Sequence, residues 1–380
     1  MMSGQNIICF ANDWDADPTS KHQVMRVLAR ENRVLWVESI GLRRPGASAG
    51  DASRILKKIR KFIRGPVCVA PNLHVVTPLV IPYHDVKIAA KFNAWFLVSY
   101  LKSHARRLGM SQFQLWAFMN NVAPYIRQLQ PQKVIYYCVD DWSAFSYLDS
   151  QLMAKMEKEV IELSDVVITS ADKLYESKRH LHPKTFLIPH GVDGEHFSKA
   201  RLATTLIPKE VDGIPSPIIG FWGLIHDWID IDLMYEVALR RPEWSFVFIG
   251  QARVDCSALQ SLKNVYLLGG RSYDTLPAFA KCFTVGVMPF KMNRLTESVN
   301  PIKLREYLAA GLPVVSTPIP EARAYAHVVR FGTSAEEFVK ALDDAVQDTG
   351  GQAVHARQEA VSKETWLARV DQISEIVAQV

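Results

Sequence analysis

The run from residue 300 to residue 321, NPIKLREYLAAGLPVVSTPIPE, allows few folds. Asn300 is a good N-cap, and Pro301 suits the first position of a helix, where a missing N–H costs nothing. Leu304, Tyr307 and Leu308 follow helical spacing, and Gly311 can take the left-handed conformation that ends a helix. Residues 313–317 then read as a strand too apolar to have a wet face, as in a sheet covered on both sides. The polar residues of the run gather at one end. A helix N-terminus carries unpaired N–H groups and about half a positive charge, so it attracts an anion. Lys303, in the first turn, opposes that dipole unless a phosphate group sits beside it. Glu306, one turn on, is placed to accept hydrogen bonds from ribose hydroxyls. A plain buried helix–strand unit would explain the packing but not these polar groups.

Strands and helices alternate from end to end, which implies parallel sheets with helices on both faces. Strands are expected over 6–11, 34–38, 73–78, 114–117, 133–139, 166–170 and 186–189, then over 218–223, 244–250, 265–268 and 285–288. Helices are expected over 22–30, 85–108, 122–129, 151–163 and 172–180. Residues 198–217 lose periodicity and carry Pro208, Gly213, Pro215 and Pro217, as a linker does. A chain of 380 residues suits two domains better than one core. The expected division is 1–197, the linker 198–217, a second domain over 218–362, and a C-terminal helix over 363–380. That helix is amphipathic, with Trp366, Val370, Ile373 and Val377 at helical spacing.

Apolar content of 48% and charged content of 22% fit a globular enzyme. Four of the five scattered cysteines lie in apolar runs, which fits buried thiols in a reducing compartment rather than disulfides or a metal site. The N-terminus enters a strand at once, and no apolar run is long enough to span a bilayer, residues 92–101 being the nearest. A cytoplasmic protein is therefore expected. Net charge is +5, but residues 1–110 hold 17 Lys/Arg against 7 Asp/Glu, so the basic excess is N-terminal. It concentrates in residues 54–64, where Ile55, Ile59, Phe62 and Ile63 share one helical face amid Lys and Arg. Such a helix can lie at an anionic membrane surface, peripherally on its inner face, or it can be an ordinary surface helix packed on a core. No aromatic-interleaved basic motif supports a nucleic-acid partner.

The run at 300–321 resembles the donor-binding motif of glycosyltransferases with the GT-B fold. The likeness is greatest to the branch that builds bacterial surface polysaccharides, teichuronic-acid-type enzymes included. That resemblance implies two Rossmann-like, doubly wound α/β domains facing a central cleft, the first binding an acceptor and the second a nucleotide sugar. Glu306 fills the position of the family's second glutamate, while the usual partner eight residues earlier is Ser298, with Glu297 one position off. The segment Pro189-His190-Gly191-Val192-Asp193 resembles the family's crossing between domains, His190 replacing the usual asparagine. In such enzymes the C-terminal helix often crosses back towards the first domain. The turn at Gly220-Phe221-Trp222-Gly223 lets backbone approach a diphosphate. The family's arginine and lysine after it are absent, since Leu224-Ile225-His226 follows, so Lys303 is the leading cation. The segment with Arg271 and Tyr273 resembles the family's wall beside the nucleotide base. The resemblance thus implies a donor site of Gly223, Arg271, Tyr273, Asn300, Pro301, Lys303, Leu304 and Glu306.

Ligands in doubly wound sheets bind at the C-terminal ends of strands. The loop holding Asp13, Trp14 and Asp15 is therefore expected to face the cleft, and the resemblance implies that it lines the acceptor side together with His22 and His190. Asp15-Ala16-Asp17 mimics a D-x-D metal motif, but in a first loop it reads better as a solvated turn. No metal site is expected, and no cofactor beyond the UDP- or GDP-linked sugar that serves as substrate. Asp140 and Asp141 end an apolar strand and are the main catalytic candidates, with Asp15 also carried. If the anomeric centre inverts, one of the pair can act as base towards an acceptor hydroxyl, and if configuration is retained it can stabilise the oxocarbenium-like centre, while the other caps a helix starting at Trp142. The reading is a metal-independent hexosyltransferase acting on a saccharide or lipid-linked saccharide. The alternatives are a nucleotide-sugar epimerase of similar fold and a catalytically silent scaffold. A dinucleotide oxidoreductase is disfavoured, because no G-x-G-x-x-G follows the first strand.

Overall fold

Parallel strands buried on both faces need unbroken apolar runs, and this chain supplies them in two sets. The computed structural model describes residues 1–41, 49–80 and 87–380, and the side chains of 49–55, 87, 89 and 90 are outside that description. The first sheet is built from β1 (Asn6–Phe10), β2 (Arg33–Val37), β3 (Val67–Ala70), β4 (Leu73–Val76), β5 (Gln114–Ala117), β6 (Lys133–Cys138), β7 (Val166–Thr169) and β8 (Thr185–Leu187). Its order is β3-β4-β2-β1-β5-β6-β7-β8, and every pairing is parallel except β3 with β4. The second sheet holds β9 (Ile218–Trp222), β10 (Ser245–Ile249), β11 (Val265–Gly269), β12 (Val285–Met288), β13 (Val314–Ser316) and β14 (Val329–Phe331). All its pairings are parallel, in the order β11-β10-β9-β12-β13-β14.

Each sheet has its own core. Ile8, Leu35, Leu115 and Tyr136 lie in the first, and Phe221, Phe246, Val287 and Leu304 in the second, all wholly enclosed. Two strands escape the sequence reading. β3 is short, exposed at Cys68 and Val69, and lies at the sheet edge, so it lacks the apolar signature of a central strand. β14 has three residues and is likewise an edge. The helix expected at Trp142 is a single 3-10 turn, Trp142–Ala144. The start expected at Asp85 lies outside the described residues, and the helix is described over Lys87–Arg107.

The chain forms two compact units, Met1–Pro189 with Arg369–Val380, and His190–Ala368. The stretch read as a linker belongs to the second unit. There Val211 is in the core, and Lys281 Nζ donates to the carbonyls of Leu202 and Thr205 at 2.8 Å. In the first unit, Lys133 Nζ donates to Val377 O at 2.8 Å and the N-terminal ammonium meets Asp371 at 2.9 Å. These bonds hold the C-terminal residues to the first sheet.

The turns after β9 and β10 are pressed together. Gly250 has φ +149, and a Cβ there would stand 1.9 Å from Gly223 O. Gly250→Ala is therefore expected to destabilise the second unit by about 2 kcal/mol or more. Urea denaturation measures this, and an unchanged midpoint would reject the close approach.

Candidate functional site

β9 ends at Trp222 and the chain turns at Gly223, whose φ of +125 favours glycine. A Cβ at Gly223 would meet Lys303 Cε at 3.0 Å and Nζ at 3.1 Å, so the bare backbone lets the lysine pass. The helix Ile302–Ala309 carries Lys303 and Glu306 one turn apart, while Leu304, Tyr307 and Leu308 are core. The Lys303 ammonium lies 5.3 Å from the Phe221 ring centre and 5.1 Å from that of Phe290. Two aromatic faces stabilise a cation where water cannot fully do so. Burial pushes Lys303 down to about 8, against the pull of Glu306. Glu306 is only 7% exposed, and burial pushes its carboxyl up to about 7. The Trp222 indole N–H, donating to Glu306 Oε2 at 2.8 Å, and the charge of Lys303 both oppose that rise. The loop beyond Gly223 is tied down by Ile225 N–H to Gln251 O at 3.0 Å and Lys291 N–H to Trp228 O at 2.8 Å. Within it His226 Nδ1 and Asp227 Oδ1 are 2.5 Å apart, and the His226 ring stacks on Trp228.

In the first unit the residues after β1, β5 and β6 come together at the C-terminal edge of adjacent strands. Lys21, in the first turn of the helix Ser20–Leu28, is buried, and its Nζ lies 5.6 Å from the centre of the Trp142 ring. Burial lowers its pKa, and the charge of Asp140 raises it. For Asp140 the order is the same: burial raises the carboxyl, Lys21 lowers it, and Asp141 raises it again. Asp141 caps the turn that follows, accepting from Ser143 N–H at 3.1 Å. His22 is wholly buried between Trp14 and Trp36. Its Nδ1 accepts from Thr19 N–H at 3.1 Å, and burial holds its pKa at about 4, so the ring is neutral at pH 7. Among the described residues, five enclosed atoms here have no hydrogen-bond partner: Asn12 Oδ1, His22 Nε2, Asn120 Oδ1, Asn121 Oδ1 and Trp142 Nε1. Enclosed polar atoms left bare are costly, and sites that receive a polar ligand are where they are tolerated.

Residues 216–348 match the family described as glycosyl transferases group 1. The second unit holds a group 1 glycosyltransferase domain. Over 238 residues the chain is 28% identical to TuaH of Bacillus subtilis (strain 168), provisionally named a teichuronic acid biosynthesis glycosyltransferase. That match takes in 57% of this chain and 59% of the relative's length. The fold is that of a sucrose-phosphate synthase from Thermosynechococcus elongatus, at TM-score 0.69 and 15% identity over 99% of this chain and 98% of that one. Anabaena Alr3699/HepE, solved with UDP-glucose, matches at TM-score 0.66 and 12% identity over 99% and 100% of the two chains. The two α/β units are thus those of the GT-B fold.

Of the residues the glycosyltransferase resemblance assigned to the nucleotide sugar, the structure gathers Gly223, Lys303 and Glu306. The expectation that Asn300 caps the helix is corrected. The helix is capped by Pro301 with no side-chain bond, because the Asn300 amide is used elsewhere. Its Oδ1 accepts from Arg305 Nη1 at 2.8 Å and from His190 N–H at 3.3 Å, and its Nδ2 donates to Glu321 Oε2 at 2.6 Å. Leu304 is core, so only its backbone could meet a ligand. His190 is buried, and its Nδ1–H donates to Asn300 O at 2.8 Å, a tie within the second unit rather than an open acceptor contact. Arg271 lies 3.2 Å from Glu210, and the Tyr273 ring stacks on His196. Ser298 is buried and donates to Arg294 O.

Asp13 and Asp15 are held by the basic helix. Lys61 Nζ is 2.7 Å from Asp15, and Lys58 Nζ is 3.8 Å from Asp13. The Lys61 bond keeps the Asp15 carboxyl below its usual range, which suits an anchored turn better than a catalytic acid. No group of metal-ligating side chains is found among the described residues. Lys21, Asn120, Asn121 and Trp222 were missed. Lys21 had a readable signal, a first-turn lysine against the helix dipole like Lys303.

Glu306 has a folded pKa of about 7 against an ordinary 4.5, so its protonation stabilises the fold. That contribution is complete below about pH 4.5 and is lost as pH rises through about 7. Glu306→Gln is expected to raise unfolding free energy at pH 8 by on the order of 2 kcal/mol, and to change it little at pH 4.5. Denaturation at the two pH values checks this, and equal midpoints at pH 8 would reject it.

Proposed function

We propose that the protein transfers a sugar from a nucleoside-diphosphate sugar, UDP- or GDP-linked, to a saccharide or lipid-linked saccharide in cell-surface polysaccharide synthesis. The observation that carries this is Lys303 and Glu306 on one helical turn beside Gly223, inside the matched domain. Lys303 and the N–H groups of the first turn would take the diphosphate, and Glu306 the ribose hydroxyls. Lys303 would supply the positive charge that a divalent ion supplies elsewhere, so the reaction would proceed in EDTA. Asp140 is the preferred base for the acceptor hydroxyl. Burial makes it more basic than an ordinary aspartate, and Lys21 keeps it ionised. The bare Asn and Trp142 atoms at the ends of the neighbouring strands suit a ligand rich in hydroxyls.

A silent scaffold remains as a second reading, favoured by Ser298 standing where the resembling family has a glutamate. Thermal shift against UDP, GDP, ADP, CDP and TDP tests the nucleotide site. A ligand at 100 times its Kd should add about 2.7 kcal/mol of stability, and Lys303→Met should abolish the response. Asp140→Asn should keep nucleotide binding and lower transfer about 100-fold or more. A flat response to every nucleotide would defeat the proposal, and binding without transfer to any saccharide acceptor would favour the scaffold.

The proposal includes work at an anionic membrane surface. No helix among the described residues is long and apolar enough to cross a membrane. Residues 54–64 lie in the helix Ala49–Arg64, with the side chains of Arg54 and Ile55 outside the description. Lys57, Lys58 and Lys61 turn to Asp15, Asp13 and Glu38, which leaves Arg60, Arg64, Leu56 and Ile63 exposed. An aromatic row joins this helix to Lys87–Arg107, from half-buried Phe62 through Phe96 and Phe92 to Trp95, which is 62% exposed. Exposed aromatic side chains beside arginines fit a bilayer interface with acidic headgroups. Phe92→Ser with Trp95→Ser, and separately Arg60→Glu with Arg64→Glu, should each weaken sedimentation with phosphatidylglycerol vesicles. Unchanged sedimentation of both would remove the membrane from the proposal.

A further inference from the structure

Trp222 closes β9 with its ring in the core of the second unit. The ring stacks on Phe197 at 5.8 Å and on Phe283 at 5.9 Å, and tilts against Tyr307 at 4.2 Å. Phenylalanine could answer most of that packing. What the indole adds is one N–H, and it donates to Glu306 Oε2 at 2.8 Å. The backbone N–H of Trp222 donates to the Tyr307 hydroxyl at 3.1 Å. One residue at a strand end therefore grips two successive residues of the helix Ile302–Ala309. Among the described residues, Glu306 Oε1 accepts no hydrogen bond, and Glu306 keeps its small exposure.

We propose that Trp222 is a positioning residue for the nucleotide sugar: its indole N–H fixes one oxygen of Glu306 in the charged form and turns the other towards the ligand's hydroxyls. This rests on the donor-site reading above and adds a pH gate to it. The groups acting on Glu306 are Lys303 and Tyr307 on its own helix and Trp222 on β9. With its carboxyl pushed up to about 7, Glu306 is half ionised at neutral pH. Ligand hydroxyls need the carboxylate as acceptor, so affinity should rise with pH through that value, before loss of the Lys303 charge, whose pKa burial pushes down to about 8, lowers it again. Removing the indole N–H removes a bond that favours the carboxylate, and the rise should move to higher pH.

The test uses the full chain and whichever nucleoside diphosphate gives the largest thermal shift. Its Kd is measured by calorimetry from pH 5.5 to 8.5 for wild type, Trp222→Phe, Glu306→Gln and the double variant. Trp222→Phe should bind about tenfold more weakly at pH 7, with the midpoint of its pH dependence about one unit higher. In the Glu306→Gln background the same change should alter Kd less than about twofold. An unmoved midpoint, or an equal loss in both backgrounds, overturns the role of Trp222 while leaving the nucleotide site standing. No binding of any nucleotide by wild type overturns both. If Trp222→Phe fails to fold, the wild type decides. Its Trp222 indole ¹⁵N–H resonance should titrate near pH 7 and stay still in Glu306→Gln, and a resonance flat across that range overturns the proposal.

Discussion

Lys303 and Glu306 occupy a helix that is otherwise built for the interior. Leu304, Tyr307, Leu308 and Ala309 are enclosed, and even Arg305 is buried, its guanidinium bonded to Glu364 and Asn300. Charge in such a place is unfavourable unless something answers it. The rings of Phe221 and Phe290 answer Lys303 in part, and the Trp222 indole answers Glu306 in part. Burial still shifts both groups towards their neutral forms. The diphosphate and ribose of the proposed donor would relieve both. Functional sites are where folds tolerate such charges.

The rest of the second unit holds that turn in place. Gly223 has no side chain where Lys303 passes, and Gly250 has none where Gly223 presses on it. Asn300 joins the start of the helix to His190, Arg305 and Glu321. These residues act through position rather than by meeting a ligand, and an asparagine used this way is easily mistaken for a cap.

The first unit arranges charge differently. Asp13, Asp15 and Glu38 are bound to lysines of the basic helix, so the acids that a motif search notices first are engaged with neighbouring cations. Asp140 has instead a buried lysine acting on it, at strand ends where several enclosed polar atoms lack a hydrogen-bond partner among the described residues. A base needs a raised pKa, and burial raises that of Asp140, which is why the proposal gives it that role.

Much of this was written in the sequence, for a local reason. Apolar runs of strand length, separated by helical spacing, require parallel sheets, because only a sheet covered on both faces can bury them. The lysine and glutamate at 303 and 306 were visible because they break a pattern that packing alone would not break. Edge strands β3 and β14 were not visible, since an edge lacks the apolar signature. Tertiary structure alone decided which polar residues are in use. Whether Asn300 caps or ties, whether Asp15 is free or held by Lys61, and whether an indole reaches Glu306 depend on residues 21 to 110 positions apart in the chain. Hydrogen bonds and ion pairs act over a few ångströms in space, and that distance cannot be read from spacing along a sequence.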